Sequence, residues 1–211
     1  MKLQEKDFIV IEFTAKVKDG DIFDSNIKED LEGRDIKTEI KPFTFCLGEN
    51  MFLQGVEDFL IGKELGEYQI ELSPEKAFGK RNTNLIQMMP MKLFIEQKVN
   101  PIPGVMFNFD GRIGKILTVT GGRVMVDFNN PIAGKEVEYK VRVLKKVEDP
   151  NEKTKALINF LFKRDLKFEI DNKKLIIEVE KPMKQFIEMF KDKFKEMLDL
   201  DLEVKEIEKK D

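Results

Sequence analysis

The sequence contains no histidine and no tryptophan, a single cysteine and only two tyrosines. Without histidine, the chain cannot build a Ser-His-Asp or Cys-His catalytic site, an imidazole metal site or a histidine pH switch. With one cysteine, Cys46, it cannot form an intramolecular disulfide or a thiolate cluster. We expect Cys46 to be a small buried apolar residue. These absences exclude several common forms of nucleophilic and metal-dependent catalysis.

Long apolar runs and a surplus of basic residues are also missing. No stretch of about 18 apolar residues occurs, and the first ten residues lack the apolar core and cleavage site of a secretory signal. Lys and Arg number 37 against 40 Asp and Glu, so the net charge is −3. This balance excludes a globally basic nucleic-acid binder. We predict a soluble, cytoplasmic protein with no membrane partner and no nucleic-acid partner.

The most informative stretch lies at 41–58, KPFTFCLGENMFLQGVED. Apolar residues alternate over 43–47, which predicts a strand that ends at Gly48. Apolar residues then fall at helical spacing over 52–56, and Gly55 would let that helix approach a sheet closely. These residues either line a small apolar cleft or form ordinary core.

Other β elements surround this stretch. Alternation over 7–17 predicts a strand, 18–21 is a hairpin turn, and 22–25 begins the return strand. Residues 26–39 are polar and predict a loop. A further alternating strand is predicted at 68–72.

Residues 83–127 have the pattern of a separate small all-β domain. The segment 85–91 is apolar and rich in methionine, and two β-branched runs at 112–120 and 123–128 flank a Gly-Gly hairpin signal. A domain of this size closes its core poorly, so some of its Met and Phe side chains should stay exposed.

The last 62 residues, 150–211, change in composition and predict an α-β-β-α-β arrangement. Asp149 is a helix N-cap followed by Pro150, 166–179 predicts a hairpin, and a second helix begins at Pro182. A last strand is predicted at 202–207. Such a short piece is marginal as an independent fold, so it either dimerises or docks, or it is a stable monomeric appendage.

Several motifs in order resemble the FKBP-type peptidyl-prolyl cis/trans isomerases: DGDIFDS, KPFTFCLGE, FLQGVED, SPEKAFG and NNPIAGKEVEYKVRVL. The resemblance covers 1–82 and 128–149, and the interruption at 83–127 is similar to the insert-in-flap chaperone domain of the SlyD-like subfamily. With the extra domain at 150–211, the chain resembles the long archaeal type. The implied fold is α+β: an antiparallel sheet wrapped on a short helix, an inserted small all-β domain and the C-terminal α-β-β-α-β domain.

The resemblance implies rotation about Xaa-Pro bonds of unfolded or nascent, proline-containing polypeptides. Uncatalysed rotation takes tens to hundreds of seconds, because the barrier is about 20 kcal/mol. No proton transfer, covalent intermediate or cofactor is required. An apolar pocket removes water from the planar, more polar amide and so favours the twisted state.

Carried over by motif, one carboxylate and several aromatic or aliphatic side chains would form the site. The carboxylate, Asp24, is the ionisable group next to the cleft, and the alternative is that it only forms a turn. The catalytic residues would be Asp24, Phe13, Tyr139 and Phe78, and the substrate-binding pocket would comprise Phe23, Phe43, Phe52, Leu53 and Val56.

The chain departs from the family pattern at several of these positions. Phe13 and Phe78 stand where the family usually has Tyr, and Val56 stands where many members have Trp. Asn130 replaces a histidine of the SlyD-like pattern, and the bacterial histidine-rich tail is absent, so we predict no nickel or zinc site. Each lost hydrogen bond typically costs about 1 kcal/mol, which slows an isomerase without abolishing it.

The insert supplies candidates for a chaperone surface, because flexible Met side chains suit varied apolar segments. About half of these candidates would instead form the insert's own core. They are Met88, Met89, Met91, Phe94, Ile102, Val105 and Phe107.

Two other functions compete with the isomerase. One is a non-catalytic holdase chaperone whose pocket, lacking the family tyrosines, only binds peptide. The other is a ribosome-associated factor using Lys80, Arg81, Lys163 and Arg164, which the many neighbouring acidic residues argue against.

Overall fold

The computed structural model describes residues 2–33 and 40–207, which fall into two compact units. The first unit comprises Met1–Lys16, Ile22–Ile70 and Glu138–Asp211. The second comprises Val17–Asp21 and Glu71–Val137. Part of the predicted loop at 26–39, namely 34–39, lies outside the described residues.

The strands and helices follow the predicted order closely. The strands are β1 Phe8–Val17, β2 Ile22–Ser25, β3 Phe43–Cys46, β4 Gly66–Leu72, β5 Ile86–Pro90, β6 Met106–Phe109, β7 Arg112–Thr120, β8 Arg123–Asp127, β9 Val137–Lys146, β10 Lys167–Asp171, β11 Lys174–Glu180 and β12 Asp201–Ile207. The helices are α1 Lys28–Leu31, α2 Gln54–Leu60, α3 Met91–Glu96, α4 Pro150–Phe162, α5 Lys181–Glu188 and α6 Lys191–Leu198.

The sheet of the first unit is built around β1. Its strand order is β2-β1-β9-β4, and β3 also pairs with β1, antiparallel, over Phe8–Ile11. Strand β1 is rich in β-branched and aromatic residues, which favour extended structure, and most of its side chains are buried. Helix α2 buries Val56 and Leu60. The predicted sheet with a short helix is therefore confirmed.

Two predicted boundaries in this unit were wrong. The loop expected at 26–39 contains the one-turn helix α1. Phe52 and Leu53 precede α2 instead of lying within it, and Leu53 is its N-cap residue with extended backbone angles. The helix thus starts two residues later than the apolar spacing indicated.

The C-terminal part of the first unit is a three-stranded sheet with the order β10-β11-β12, accompanied by α4, α5 and α6. Strands β10 and β11 form the predicted antiparallel hairpin, and β12 runs parallel to β11. The Asp149 side chain accepts a hydrogen bond from the Asn151 N–H and caps α4 as predicted. The second helix was predicted as continuous, but it is broken between α5 and α6.

The second unit contains a four-stranded sheet with the order β5-β8-β7-β6. Its core is formed by Phe94, Ile116, Val124 and Val126. The predicted inserted sheet is confirmed, and the sequence reasoning missed the short helix α3, which contributes Phe94. At Gly114 a Cβ atom would lie 2.6 Å from a Val126 methyl carbon, so the sheet is packed closely there. Among the described helices, none is long and apolar enough to cross a membrane.

Candidate active site

A cluster of aromatic rings lies in the first unit, with Phe52 at its centre. The Phe52 ring centroid lies 5.0 Å from that of Phe13, 5.4 Å from Phe45, 5.7 Å from Phe43 and 5.9 Å from Tyr139. Edge-to-face and tilted contacts at these distances are the arrangements that aromatic pairs prefer. Four separate segments of the chain therefore meet at one residue.

Tyr139 joins the remaining aromatic residue to the pocket. Its ring centroid lies 6.2 Å from Phe23 and 6.3 Å from Phe13. The Tyr139 residue is only 3% exposed, whereas Phe23 is half-buried. The name aromatic pocket is used below for Phe13, Phe23, Phe43, Phe45, Phe52 and Tyr139.

Four strands and a loop present these rings, and the side chain of Asn26 ties two of these segments together. Its side-chain oxygen accepts a hydrogen bond from the Phe13 N–H at 2.7 Å. Its amide donates to the carbonyls of Ile11 at 3.1 Å and Lys41 at 3.0 Å. Because Asn26 is buried, these bonds satisfy polar groups that would otherwise be costly, and they fix the segment before β3 against β1.

The loop that carries Phe52 is held by the buried carboxylate of Glu57. Its oxygens accept hydrogen bonds from the backbone N–H groups of Gly48 at 2.8 Å, Asn50 at 3.2 Å and Phe52 at 2.6 Å. Burial raises the pKa of Glu57, and the backbone donors act in the opposite direction. Glu57 therefore positions the central ring, Phe52, through hydrogen bonds to the backbone of its loop.

The carboxylate of Asp24 acts electrostatically on the phenol of Tyr139. Burial raises the pKa of Tyr139 strongly, and the negative charge of Asp24 raises it further. Since an ordinary phenol is already neutral at physiological pH, Tyr139 is a neutral O–H donor there, and the shift extends this state to higher pH. Asp24 lies within β2, opposite Ala15, and not in a turn.

The other predicted pocket residues occupy three different positions. Val56 is fully buried in the first turn of α2, and Leu53 is half-buried at the N-cap. Phe78 belongs to the second unit, where it is half-buried, so its place in the site stays a prediction.

The site residues carried over by motif did not include three residues of this site. Phe45 was placed with Phe43 beside the possible apolar cleft, since strand alternation puts both rings on the same face, but it was not among the residues carried over. Glu57 lies within a motif quoted for the resemblance, but no sequence signal shows that an acid accepts backbone hydrogen bonds. Asn26 carries no signal beyond its polar surroundings.

The predicted chaperone residues divide between the surface and the core of the second unit. Met88, Ile102 and Val105 are exposed, at 57%, 52% and 39%. Met89, Met91 and Phe107 are partly buried against the insert core, and Phe94 is 3% exposed and belongs to that core. Sequence reasoning missed further exposed apolar residues, which are Leu93, Ile95, Met106 and Ile113.

Neither a reactive thiol nor a metal-ligand cluster accompanies the pocket. Burial raises the pKa of Cys46 to about 12, so the thiol is neutral and acts as the predicted buried apolar residue. Within 2–33 and 40–207, no group of three or more Cys, Asp or Glu side chains is placed to hold a metal ion.

Comparison with known proteins gives the same assignment along the chain. A family model described as FKBP-type peptidyl-prolyl cis-trans isomerase matches residues 1–95. A second model, described as FKBP26, IF domain, matches residues 87–132.

Individual relatives agree with these models. The short-type peptidyl-prolyl cis-trans isomerase of Methanocaldococcus jannaschii is 31% identical over 67% of this chain and 92% of its own length. The FKBP-type 16 kDa isomerase of Escherichia coli K12 is 29% identical, with the same coverage of both chains. The isomerase SlyD of Haemophilus influenzae is 27% identical over 68% of this chain and 72% of its own. The chain belongs to the FKBP-type peptidyl-prolyl cis-trans isomerases, of the SlyD-like kind with an inserted domain.

Proposed function

We propose that the aromatic pocket accelerates rotation about Xaa-Pro bonds by excluding water from the amide, and that the insert captures the polypeptide to which the proline belongs. The observation that carries this proposal is the ring cluster around Phe52, which is apolar except for Asp24 and the Tyr139 hydroxyl. In domain terms, 1–82 with 128–149 would be the isomerase, 83–127 the insert and 150–211 an additional domain.

The chemistry needs little beyond this environment. The planar amide carries partial negative charge on its oxygen, which water stabilises, whereas the twisted amide is less polar. Moving the bond from water into an apolar site therefore favours the twisted state over the planar one. The rings would also hold the proline while the chain on one side turns.

Other family members usually have tyrosines at the positions of Phe13 and Phe78. Tyr139 would supply the hydrogen bond that those tyrosines supply in the other proteins. Its phenol is neutral at physiological pH, as an ordinary tyrosine is, and burial and the charge of Asp24 move its pKa still further up. A neutral O–H in an apolar pocket can donate to a carbonyl oxygen as the amide rotates. Asp24 would act as a negative charge beside this donor, not by setting its protonation state.

The test is the cis-to-trans rate of a fluorogenic Xaa-Pro tetrapeptide with the whole protein, Asp24→Ala and Tyr139→Phe. We expect clear acceleration by the whole protein and a loss of about tenfold in either variant, since each removes one polar interaction worth about 1 kcal/mol or slightly more. Asp58→Ala, an exposed acid on α2, is the matched control and should retain full activity.

Two outcomes would contradict this proposal in different ways. If neither Asp24→Ala nor Tyr139→Phe changes the acceleration, the polar roles proposed for these two residues are wrong and desolvation is the remaining cause of the acceleration. No acceleration by a protein that still suppresses aggregation would establish the non-catalytic holdase instead.

The capture role of the insert is supported by apolar side chains on the solvent face of its sheet. Met88 on β5, Met106 on β6 and Ile113 on β7 are exposed at 57%, 49% and 59%. Side chains alternate between faces, and the core residues Val124 and Val126 point to the opposite face. An exposed apolar surface of this kind suits weak binding of unfolded chains.

A further inference from the structure

A cleft of about 660 Å³ lies in the first unit, beside the aromatic pocket. One wall is the chain entering β3, and the other is helix α4 with the residues that follow it. The walls include Phe43, Met51, Ala156 and Phe160, together with the basic residues Lys163 and Arg164. The name basic cleft is used below for this site.

The acidic residues of the basic cleft are already paired. The Glu152 carboxylate lies 2.8 Å from the ammonium group of Lys145. The Asp165 carboxylate lies 3.9 Å from the ammonium group of Lys155. Among the described residues, neither carboxylate forms an ion pair with Lys163 or Arg164.

Lys163 and Arg164 each contact an uncharged side chain. Lys163 lies over the ring of Phe160, with 4.8 Å between its ammonium nitrogen and the ring centroid. A guanidinium nitrogen of Arg164 donates to the Met183 sulfur at 3.4 Å. Across the described part of the chain, neither residue forms an ion pair with a carboxylate. The cleft thus combines apolar walls with two exposed positive charges.

The basic cleft and the aromatic pocket share one residue, Phe43. Its ring is 5.7 Å from Phe52 at the centre of the pocket, and the residue also lines the cleft. An extended chain advances about 3.3 Å per residue. When the proline of a substrate occupies the aromatic pocket, the next few residues of that substrate therefore extend past Phe43 into the basic cleft.

We propose that the basic cleft binds the substrate polypeptide on one side of the proline and selects segments in which an acidic side chain accompanies an apolar one. The apolar side chain contacts Phe43, Met51 and Phe160, and the acid is held by Lys163 and Arg164. This inference rests on the proposed location of the isomerase site in the aromatic pocket.

The experiment compares kcat/KM for a tetrapeptide with kcat/KM for decapeptides that contain the same Xaa-Pro core. The decapeptides carry Leu and either Glu or Lys, three or four residues before or after the proline. On one side of the proline, the Glu peptide should be isomerised about fivefold faster at low salt, since exposed charge pairs contribute about 0.2–1 kcal/mol each. The preference should weaken as salt is added.

The double variant Lys163→Asn/Arg164→Gln should lose this preference and keep its tetrapeptide activity. Asn is chosen because Lys163 has a φ of 53°, in the left-handed region that Asn tolerates. Lys167→Asn/Lys174→Gln, which changes exposed lysines outside the cleft, should retain the preference. Unchanged tetrapeptide activity shows that the double variant is folded.

Several results would overturn the proposal. One is a wild-type protein with no charge preference on either side of the proline, and another is a preference that survives in the double variant. A third is a double variant that no longer binds a labelled single-stranded oligonucleotide but keeps the peptide preference. That result would show that the cleft binds nucleic acid. If the wild-type protein does not accelerate the tetrapeptide, the pocket proposal fails separately, and fluorescence anisotropy of labelled Glu and Lys decapeptides still decides the cleft.

Discussion

At the scale of single residues, Tyr139 links the chemistry of the pocket to the stability of the fold. It is a phenol that the folded state keeps neutral, through burial first and the charge of Asp24 second. Its folded pKa is thus raised above the ordinary value of about 10. The stability that follows from this shift is complete below the unfolded pKa and is lost as the pH rises towards the folded pKa.

The free energy of unfolding should therefore fall more steeply above pH 10 in the wild type than in Tyr139→Phe. A single group shifted this far removes about 1 kcal/mol between pH 10 and pH 11. Urea unfolding followed by circular dichroism at pH 8, 10 and 11 measures the difference. Asp24→Asn should keep most of this fall, because burial, the larger cause of the raised pKa, is still present. Parallel pH profiles for wild type and Tyr139→Phe would contradict this account.

At the scale of elements, strands were easier to predict than helix boundaries. Period-2 alternation located β1 and β4, and a β-branched run beside a Gly-Gly turn located β7. Helix α3 has only six residues and is held by the burial of Phe94, a tertiary contact that no local pattern predicts. The break between α5 and α6 has no Gly or Pro at Met189 and Phe190 to mark it.

The pocket shows the same division between local pattern and tertiary contact. Motif resemblance identified Phe13, Phe43 and Tyr139, which meet at Phe52, but not Phe45. It could not show that Glu57 would bind the backbone of the loop before it, since that depends on three N–H groups converging on one carboxylate. Such convergence is a property of the folded loop.

Helix α6 is tied to the same loop by an ion pair. The Lys193 ammonium lies 2.6 Å from the Glu49 carboxylate, whose side chain is 10% exposed. Glu49 lies between Gly48 and Asn50, whose N–H groups Glu57 holds. The C-terminal part of the chain therefore helps to position the loop that carries Phe52.

Lys193→Met should lower both the melting temperature and the tetrapeptide activity. Removing Lys193 leaves a nearly buried carboxylate without its partner, which costs about 1–3 kcal/mol. Differential scanning calorimetry and the peptide assay measure the two effects. Lys195→Met is the matched control on the same helix, where the partner carboxylates are exposed and the expected cost is small. Equal effects of the two substitutions would show that the Lys193 pair has no special role.

At the scale of the whole molecule, the insert and the aromatic pocket should contribute separately to protein folding. Capture by one site raises the local concentration of prolines at the other, without any new contact between them. The ends of the insert suit a clean deletion. The Asn82 N–H donates to the Asn129 side-chain oxygen at 2.8 Å, and the Asn129 amide returns a bond to the Asn82 carbonyl at 3.0 Å.

Replacing residues 84–127 by a short Gly-rich turn should spare activity on the tetrapeptide and strongly reduce the refolding rate of a protein limited by proline isomerisation. A milder control is Met88→Ser/Ile113→Ser, which removes exposed apolar side chains and should reduce refolding activity without affecting the tetrapeptide. Equal loss on both substrates in the deletion variant would show that the insert supports the pocket instead of capturing substrate.

The pairing of β1 with β9 also sets the order in which the molecule is completed during synthesis. Strand β1 begins at Phe8, and its neighbour β9 ends at Lys146, where the Val147 N–H bonds to the Phe8 carbonyl at 2.7 Å. All strands of the insert sheet lie within Ile86–Asp127, so that sheet is complete while β9 is still inside the ribosome. Because domains generally fold as their chain emerges, the insert sheet precedes the sheet built around β1. Strand β1 can pair early with β2 and β3, but its pairing with β9 joins residues more than a hundred positions apart, a long-range contact of the kind that slows folding.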